Sequence, residues 1–328
     1  MNLCRQLLVA IAIAIAIAVA SLAAPFVVYA QNFPSKPLRL IVRAPPGGTD
    51  DLIARLVAPA IGKTLGQQMI VDYRTGAGGP VAWEYVSKQP PDGYTLMLAA
   101  SGLAAVKSLR GEISIDPFRD FGWVSQVTSF MLVILVHPSL PARTQKELIA
   151  LARSRPGQLS YGTSGVGATP HLAAEYFKAM AKIQINHVPY KGAGPMYLDL
   201  IGGRIEMGSA VLGSALPHIR SGRVRALGVS GAQRSPQLPD VPSLGGTVKG
   251  YEASAWFGMG APAKTPKDVI AVLNKAINEG LADDGMKKRI ADMGGMHMGG
   301  TPEDFGKIVE SETAKWKKVV EFSGASVE

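Results

Sequence analysis

Twice along its 328 residues this chain passes from an apolar run through a glycine-rich turn into a helical pattern, and that repeated step restricts the fold more than any other feature. The first turn is Pro45-Pro46-Gly47-Gly48-Thr49-Asp50-Asp51, set between Leu38–Val42 and a helix through Leu52, Leu56 and Ile61. The second is Thr163-Ser164-Gly165-Val166-Gly167-Ala168-Thr169-Pro170, set between Leu159–Tyr161 and a helix through Leu172, Tyr176 and Met180. Glycine lets the backbone turn its N–H groups toward a guest, and the helix that follows adds unpaired first-turn donors and the positive end of its dipole. Two anion-ready turns in one chain point to a carboxylate held between two lobes.

Strand-like runs fall into two series: Leu38–Val42, Met69–Val71 and Thr95–Leu98, then Leu159–Tyr161, His187–Val188, Ile205–Met207 and Val224–Val229. Helical patterns over Thr49–Leu65, Thr144–Ala152, Pro170–Met180 and Met196–Ile201 separate them, so an α/β class with parallel strands flanked by helices is expected. Between the series runs an apolar segment from Phe121 to Val136, long enough to leave one sheet and enter another. A proline-rich return from Ser235 to Pro242 leads into an aromatic run from Tyr251 to Met259. The chain is therefore expected to cross between lobes twice, with residues 1–30 a signal peptide, 31–130 and 241–328 lobe 1, and 131–240 lobe 2. Two C-terminal helices open at Thr265-Pro266-Lys267-Asp268 and Thr301-Pro302-Glu303-Asp304, where each threonine is the expected N-cap. Both are expected to pack on lobe 1.

Arg5 is the only charged side chain before an uncharged stretch from Leu7 to Ala30 that closes in Val28-Tyr29-Ala30. That pattern is a secretory signal, although the apolar stretch is nearly long enough for an uncleaved anchor. The single cysteine, Cys4, lies inside it, so the mature chain has no disulfide and must rely on a hydrophobic core. Bacterial periplasm is the simplest location. The formal net charge is +9, but the basic residues are dispersed and no aromatic-interleaved stripe accompanies them, so a nucleic-acid partner is not expected.

Further segments recur in a recognisable order: Pro34-Ser35-Lys36-Pro37, Gly76-Ala77-Gly78-Gly79, Pro91-Asp92-Gly93-Tyr94, Pro170-His171-Leu172, Val188-Pro189-Tyr190-Lys191-Gly192, Leu216-Pro217-His218-Ile219 and Trp256-Phe257-Gly258. With the first turn and Leu238-Pro239-Asp240-Val241-Pro242, they make the chain resemble the substrate-binding proteins of tripartite tricarboxylate transporters, the Bug-type extracytoplasmic receptors, from about Pro34 to Ser323. The resemblance implies a two-lobed periplasmic binding protein of type II, the Venus-flytrap kind, with a parallel-rich sheet flanked by helices in each lobe and two crossover strands. It implies a monomer that grips a small organic carboxylate at the hinge with no cofactor or metal, and serves membrane permease subunits. A sensor of the same fold acting on a membrane signalling partner is the alternative the residues leave open.

The expected ligand contacts are Gly47, Gly48, Thr49 and Asp50 in the first turn, and Ser164, Gly167, Ala168 and Thr169 in the second. Ala44, Gly79, Ser101, Tyr190 and Ala210 complete the set. Micromolar binding needs about −8 kcal/mol, which three or four backbone N–H contacts to a charged group and lobe closure can approach without arginine or lysine in the cleft. Thr169 and His171 have competing local roles, the first as an N-cap and the second in a structural hydrogen bond; Tyr190 either rims the cleft or packs beneath it.

Several positions depart from the family pattern. Arg43 and Ala44 replace proline and a large aromatic, Asp50 replaces Thr, Ser or Asn, Pro80 replaces asparagine, and Ala210 replaces an aspartate. A carboxylate at position 50 opposes a ligand carboxylate, so Asp50 is expected either to cap its own helix or to meet a donor or cation on the ligand. A substrate unlike citrate follows. Catalysis is not expected: Gly162-Thr163-Ser164-Gly165-Val166 lacks the closing glycine of a nucleophile elbow, and His171 with Glu175 lacks further metal ligands nearby.

Overall fold

The four apolar residues of β1 (Leu38–Val42) are all buried, with only Arg39 half-exposed between them, as a strand covered on both faces requires. The computed structural model describes residues 33–76, 78–111 and 113–324, with the fold carried by a contact unit that begins at Lys36. The expected signal at 1–30, with Cys4, and Ala77 of the Gly76–Gly79 segment lie outside the described residues. Among the described residues no helix is long and apolar enough to cross a membrane.

The remaining strands are β2 (Met69–Tyr73), β3 (Thr95–Ala100), β4 (Phe121–Val136), β5 (Ser160–Thr163), β6 (Asn186–Pro189), β7 (Met207–Val211), β8 (Arg225–Val229), β9 (Ser254–Pro262) and β10 (Gly295–His297). The helices are α1 (Thr49–Leu65), α2 (Pro80–Ser87), α3 (Val106–Arg110), α4 (Gln145–Ser154), α5 (Thr169–Ala181), α6 (Ala193–Ile201), α7 (Leu212–Arg220), α8 (Lys267–Ala282), α9 (Asp284–Asp292) and α10 (Pro302–Ser323). A 3-10 turn, Ser101–Ala105, follows β3. The main strand order is β2-β1-β3-β9-β4-β7-β5-β6, with β8 and β10 also on β4.

β1 lies parallel to β2 and β3, and β5 parallel to β6 and β7. Between these groups β4 pairs antiparallel with β9 from Phe121 to Met131, then with β7 and β8 from Leu132 to Val136. One long strand thus belongs to both groups, and β8, expected among the parallel strands, lies antiparallel on it. The return path runs beside it. Ser230, fully buried, accepts from Leu132 N–H at 2.8 Å and donates to the Ala253 carbonyl, while its own N–H donates to Leu132 O at 2.9 Å. Where the outgoing strand changes partners, the returning backbone is therefore tied to it by one hydroxyl.

Helix signals divide. Thr301 caps α10 by accepting from Asp304 N–H, as its sequence indicates, and a Thr144/Glu147 capping box opens α4. At α8 the N-cap is Pro266, and Thr265 instead donates to Pro262 O at 2.8 Å. α8 packs on α1 and β4, whereas α10 reaches β4, the 3-10 turn and also α5. Phe305 of α10 meets Trp123 and Trp256 edge-on at 5.2 and 5.4 Å, and Phe322 near its end meets Tyr176 of α5 at 6.5 Å. The last helix, expected on the first lobe, therefore braces both strand groups.

Candidate functional site

The two glycine-rich turns face each other across a cavity of about 550 Å³. Ala44, Gly48, Thr49 and Asp50 line it from the end of β1 and the start of α1, and Ser164 and Thr169 from the end of β5 and the start of α5. Tyr190 and Ala210, from the β6–α6 connection and β7, complete the expected residues on its wall. Tyr190 lines the cavity while its hydroxyl donates to Asp199 Oδ2 at 2.8 Å, and burial with that bond pushes its pKa up to about 12. It is a neutral, anchored wall.

Five expected contacts, Gly47, Gly79, Ser101, Gly167 and Ala168, lie off the cavity wall. Gly47 N–H donates to Asp51 Oδ2 at 2.9 Å and Gly167 N–H to His171 Nδ1 at 3.2 Å, so both are used within their own turns. Gly79 caps α2 and donates to Gly76 O, and Ala168 caps α5 and donates to Gly165 O. Ser101, fully buried, shares a 2.7 Å hydroxyl hydrogen bond with Thr169 Oγ1. Thr169 is the first residue of α5 rather than its cap, and its hydroxyl joins the two turns' halves of the structure.

With backbone donors partly consumed, side chains carry more of the site than expected. Arg43, Arg110 and Lys191 line the cavity, against the expectation of a cleft without arginine or lysine. Asp50 neither caps α1 nor stands alone: Arg43 Nε lies 3.0 Å from its Oδ1, and both side chains are less than a tenth exposed. Arg43 Nη1 also donates to Gly78 O at 2.9 Å. The two departures at 43 and 50, read singly from the sequence, are one buried ion pair. Arg110, Met196, Ser209 and Phe257 on the wall had no local signal, because each comes from an element remote in sequence from the turns.

The two helix starts differ in charge. α1 carries Asp50 and Asp51 in its first turn; α5 carries no acid there. Asp51 accepts from Gly47, Arg55 and Tyr73, and although burial pushes its pKa up, these bonds outweigh burial and hold it below the usual carboxylate range. The positive end of α1 thus faces carboxylates of its own chain, while that of α5 reaches the cavity through Thr169 and Pro170 with no such counter-charge on its first turn.

On α5, His171 stacks on His187 of β6 at 4.3 Å, and His187 Nε2 bonds Thr163 Oγ1 at 2.7 Å. Desolvation lowers the pKa of His171 to about 4 and that of His187 to about 3, so both are neutral near pH 7. His171 holds the turn through Gly167, the structural role expected of it. Glu175 accepts from Tyr161 and, at 2.7 Å, from Lys178. Among the described residues no group of three or more His, Cys, Asp or Glu is placed to hold a metal ion.

The model of the tripartite tricarboxylate transporter family receptor matches residues 53–324. The chain belongs to that family. It is similar to Protein BugT of Bordetella pertussis, 36% identical over 313 residues that cover 94% of this chain and 95% of the relative. Among solved structures it resembles R. palustris Rpa4515 with adipate, with a TM-score of 0.87 and 36% identity over 90% of this chain and 100% of the other. It also resembles MatC from Rhodopseudomonas palustris with bound malate, with a TM-score of 0.83 and 27% identity over 88% of this chain and 100% of the other. The α/β architecture is accordingly that of periplasmic binding proteins such as BugD, and the tricarboxylate-transporter receptor's cavity lies between its two glycine-rich turns.

Proposed function

We propose that this receptor captures a small organic carboxylate in the periplasm, between lobes formed by 31–130 with 241–328 and by 131–240, and delivers it to permease subunits of a tripartite tricarboxylate-type transporter. It acts by binding, without catalysis. The observation that carries this reading is the asymmetric cavity: the α5 start, free of acids in its first turn, meets a wall that also includes Arg110 and Lys191. A ligand carboxylate fits that side, with Ser164 and Thr169 as hydroxyl neighbours. Two structural relatives were solved with adipate and with malate, both small carboxylates, which supports the ligand class.

Thermal unfolding against a panel of mono-, di- and tricarboxylates tests it. A ligand at 100 times its dissociation constant is expected to stabilise the fold by about 2.7 kcal/mol, a saturable shift in Tm. Absence of a shift with every acid would remove the carboxylate reading. Uptake of the responding acid by cells with and without this gene then tests the permease partnership.

A further inference from the structure

We propose that Arg43 and Asp50 act together as one specificity element that selects ligands whose second end offers a donor and an acceptor side by side, as a primary carboxamide does, over ligands with a second carboxylate. This rests on the reading of the cavity as a carboxylate receptor and specifies its substrate class: half-amides of dicarboxylic acids and related amide-bearing acids.

Both side chains line the cavity. Arg43 is 8% exposed and Asp50 6%, so neither swings freely into solvent. The guanidinium is pinned by its bond to Gly78 O, and Nε stands 3.0 Å from Asp50 Oδ1. At that separation the pair is in Coulombic contact yet not aligned as a hydrogen bond: Arg43 Nε and Asp50 Oδ1 each lack a hydrogen-bond partner within the protein. A buried pair left imperfectly bonded is costly, so a guest that adds a complement to each of the two charged groups where they line the cavity is favoured. Thr49 Oγ1 and Ser209 Oγ, also buried and without protein partners, extend the same unsatisfied polarity along the wall.

Charge decides between guests. A second carboxylate gains Arg43 but meets Asp50; an ammonium gains Asp50 but meets Arg43. A neutral amide suits both, its N–H toward the Asp50 carboxylate and its carbonyl toward the Arg43 guanidinium, and disturbs neither charge. The ligand's one carboxylate remains on the α5 side, where no first-turn acid opposes it.

Calorimetric titration of the purified protein with matched pairs tests this: succinate and succinamate, glutarate and glutaramate, adipate and adipamate. At the chain length that binds best, the half-amide is expected to bind at least about tenfold more tightly than its diacid. Asp50→Asn, which leaves the arginine uncompensated, is expected to shift that ratio at least about tenfold toward the diacid. Because a lone buried arginine can impair folding, the double variant Arg43→Gln with Asp50→Asn provides the second arm. It removes both charges and is expected to bring half-amide and diacid within about threefold of each other. A merely structural pair would lower both affinities by one factor and leave their ratio unchanged in the variants, which overturns the proposal. Equal affinity or diacid preference in the unaltered protein overturns it too, and leaves the carboxylate receptor standing. Binding of neither member of any pair overturns the receptor reading and this proposal with it.

Discussion

Ser101 and Thr169 are 68 positions apart, yet their hydroxyls share a 2.7 Å bond in the buried seam beside the cavity. Each residue was legible in the sequence as a hydroxyl near a turn; their partnership was not, because both hydroxyls are spent on each other only once the two halves meet. Arg43 and Asp50 teach the same lesson with charges. His171 on α5 and His187 on β6 are the residues whose titration bears on stability. Their pKa values fall to about 4 and about 3 in the fold, below the ordinary value, so between roughly pH 6.5 and 4 the unfolded chain binds protons that the folded chain does not. Their contribution is present above pH 6.5 and is lost as pH falls toward the folded values, on the order of a few kcal/mol. Urea unfolding across that window is expected to show the decline. Replacing His171 by asparagine, which retains an acceptor for Gly167 N–H, is expected to flatten it; an unaltered slope would assign the decline to other groups.

Elements were most legible where local pattern and packing agree. The spans of β1 and α1 match those expected, but α1 buries Ile53, Val57 and Ile61, while Leu52 of the expected stripe is exposed and Leu56 only half-buried. β7 was less legible: expected at Ile205–Met207, it runs Met207–Val211. Its Gly208-Ser209-Ala210 centre has little intrinsic strand preference and is held extended by β4 on one side and β5 on the other. The Thr265 signal failed for a similar reason, as its hydroxyl found the nearby Pro262 carbonyl. The crossing of β4 and the return strand depends on Ser230. Ser230→Ala removes a donor to Ala253 O and an acceptor for Leu132 N–H in a buried setting, and is expected to cost about 1–3 kcal/mol in denaturant unfolding. A loss within a few tenths would show that the backbone bonds alone hold the crossing.

At the scale of the molecule, the second glycine-rich turn packs so closely on Gly78 and on the 3-10 turn after β3 that side chains are excluded between them. A Cβ on Gly102 would lie 2.7 Å from Gly167 O, and one on Gly78 would lie 2.2 Å from Val166 O. Gly102→Ala is the cleaner probe, since Gly102 has no positive φ while Gly78 does. It is expected to hold the halves apart, leave secondary structure intact and weaken carboxylate binding by about tenfold or more. Titration calorimetry with small-angle scattering checks this; unaltered affinity and dimensions would show that the seam yields without cost.

Local chemistry is enough to read the alternation of strands and helices, the two glycine-rich turns and the long crossing strand, because periodicity, turn residues and caps act over a few positions. Eight of the expected contacts stand on the cavity wall for that reason, being close in sequence to those turns or to strands that end beside them. Tertiary structure alone decided which donors remain for a guest, which charges neutralise each other and which distant residues, such as Arg110 and Phe257, complete the wall. Hydrogen-bond and ion-pair partners are chosen by proximity and desolvation after the halves pack, and neither is a property of a short stretch of chain.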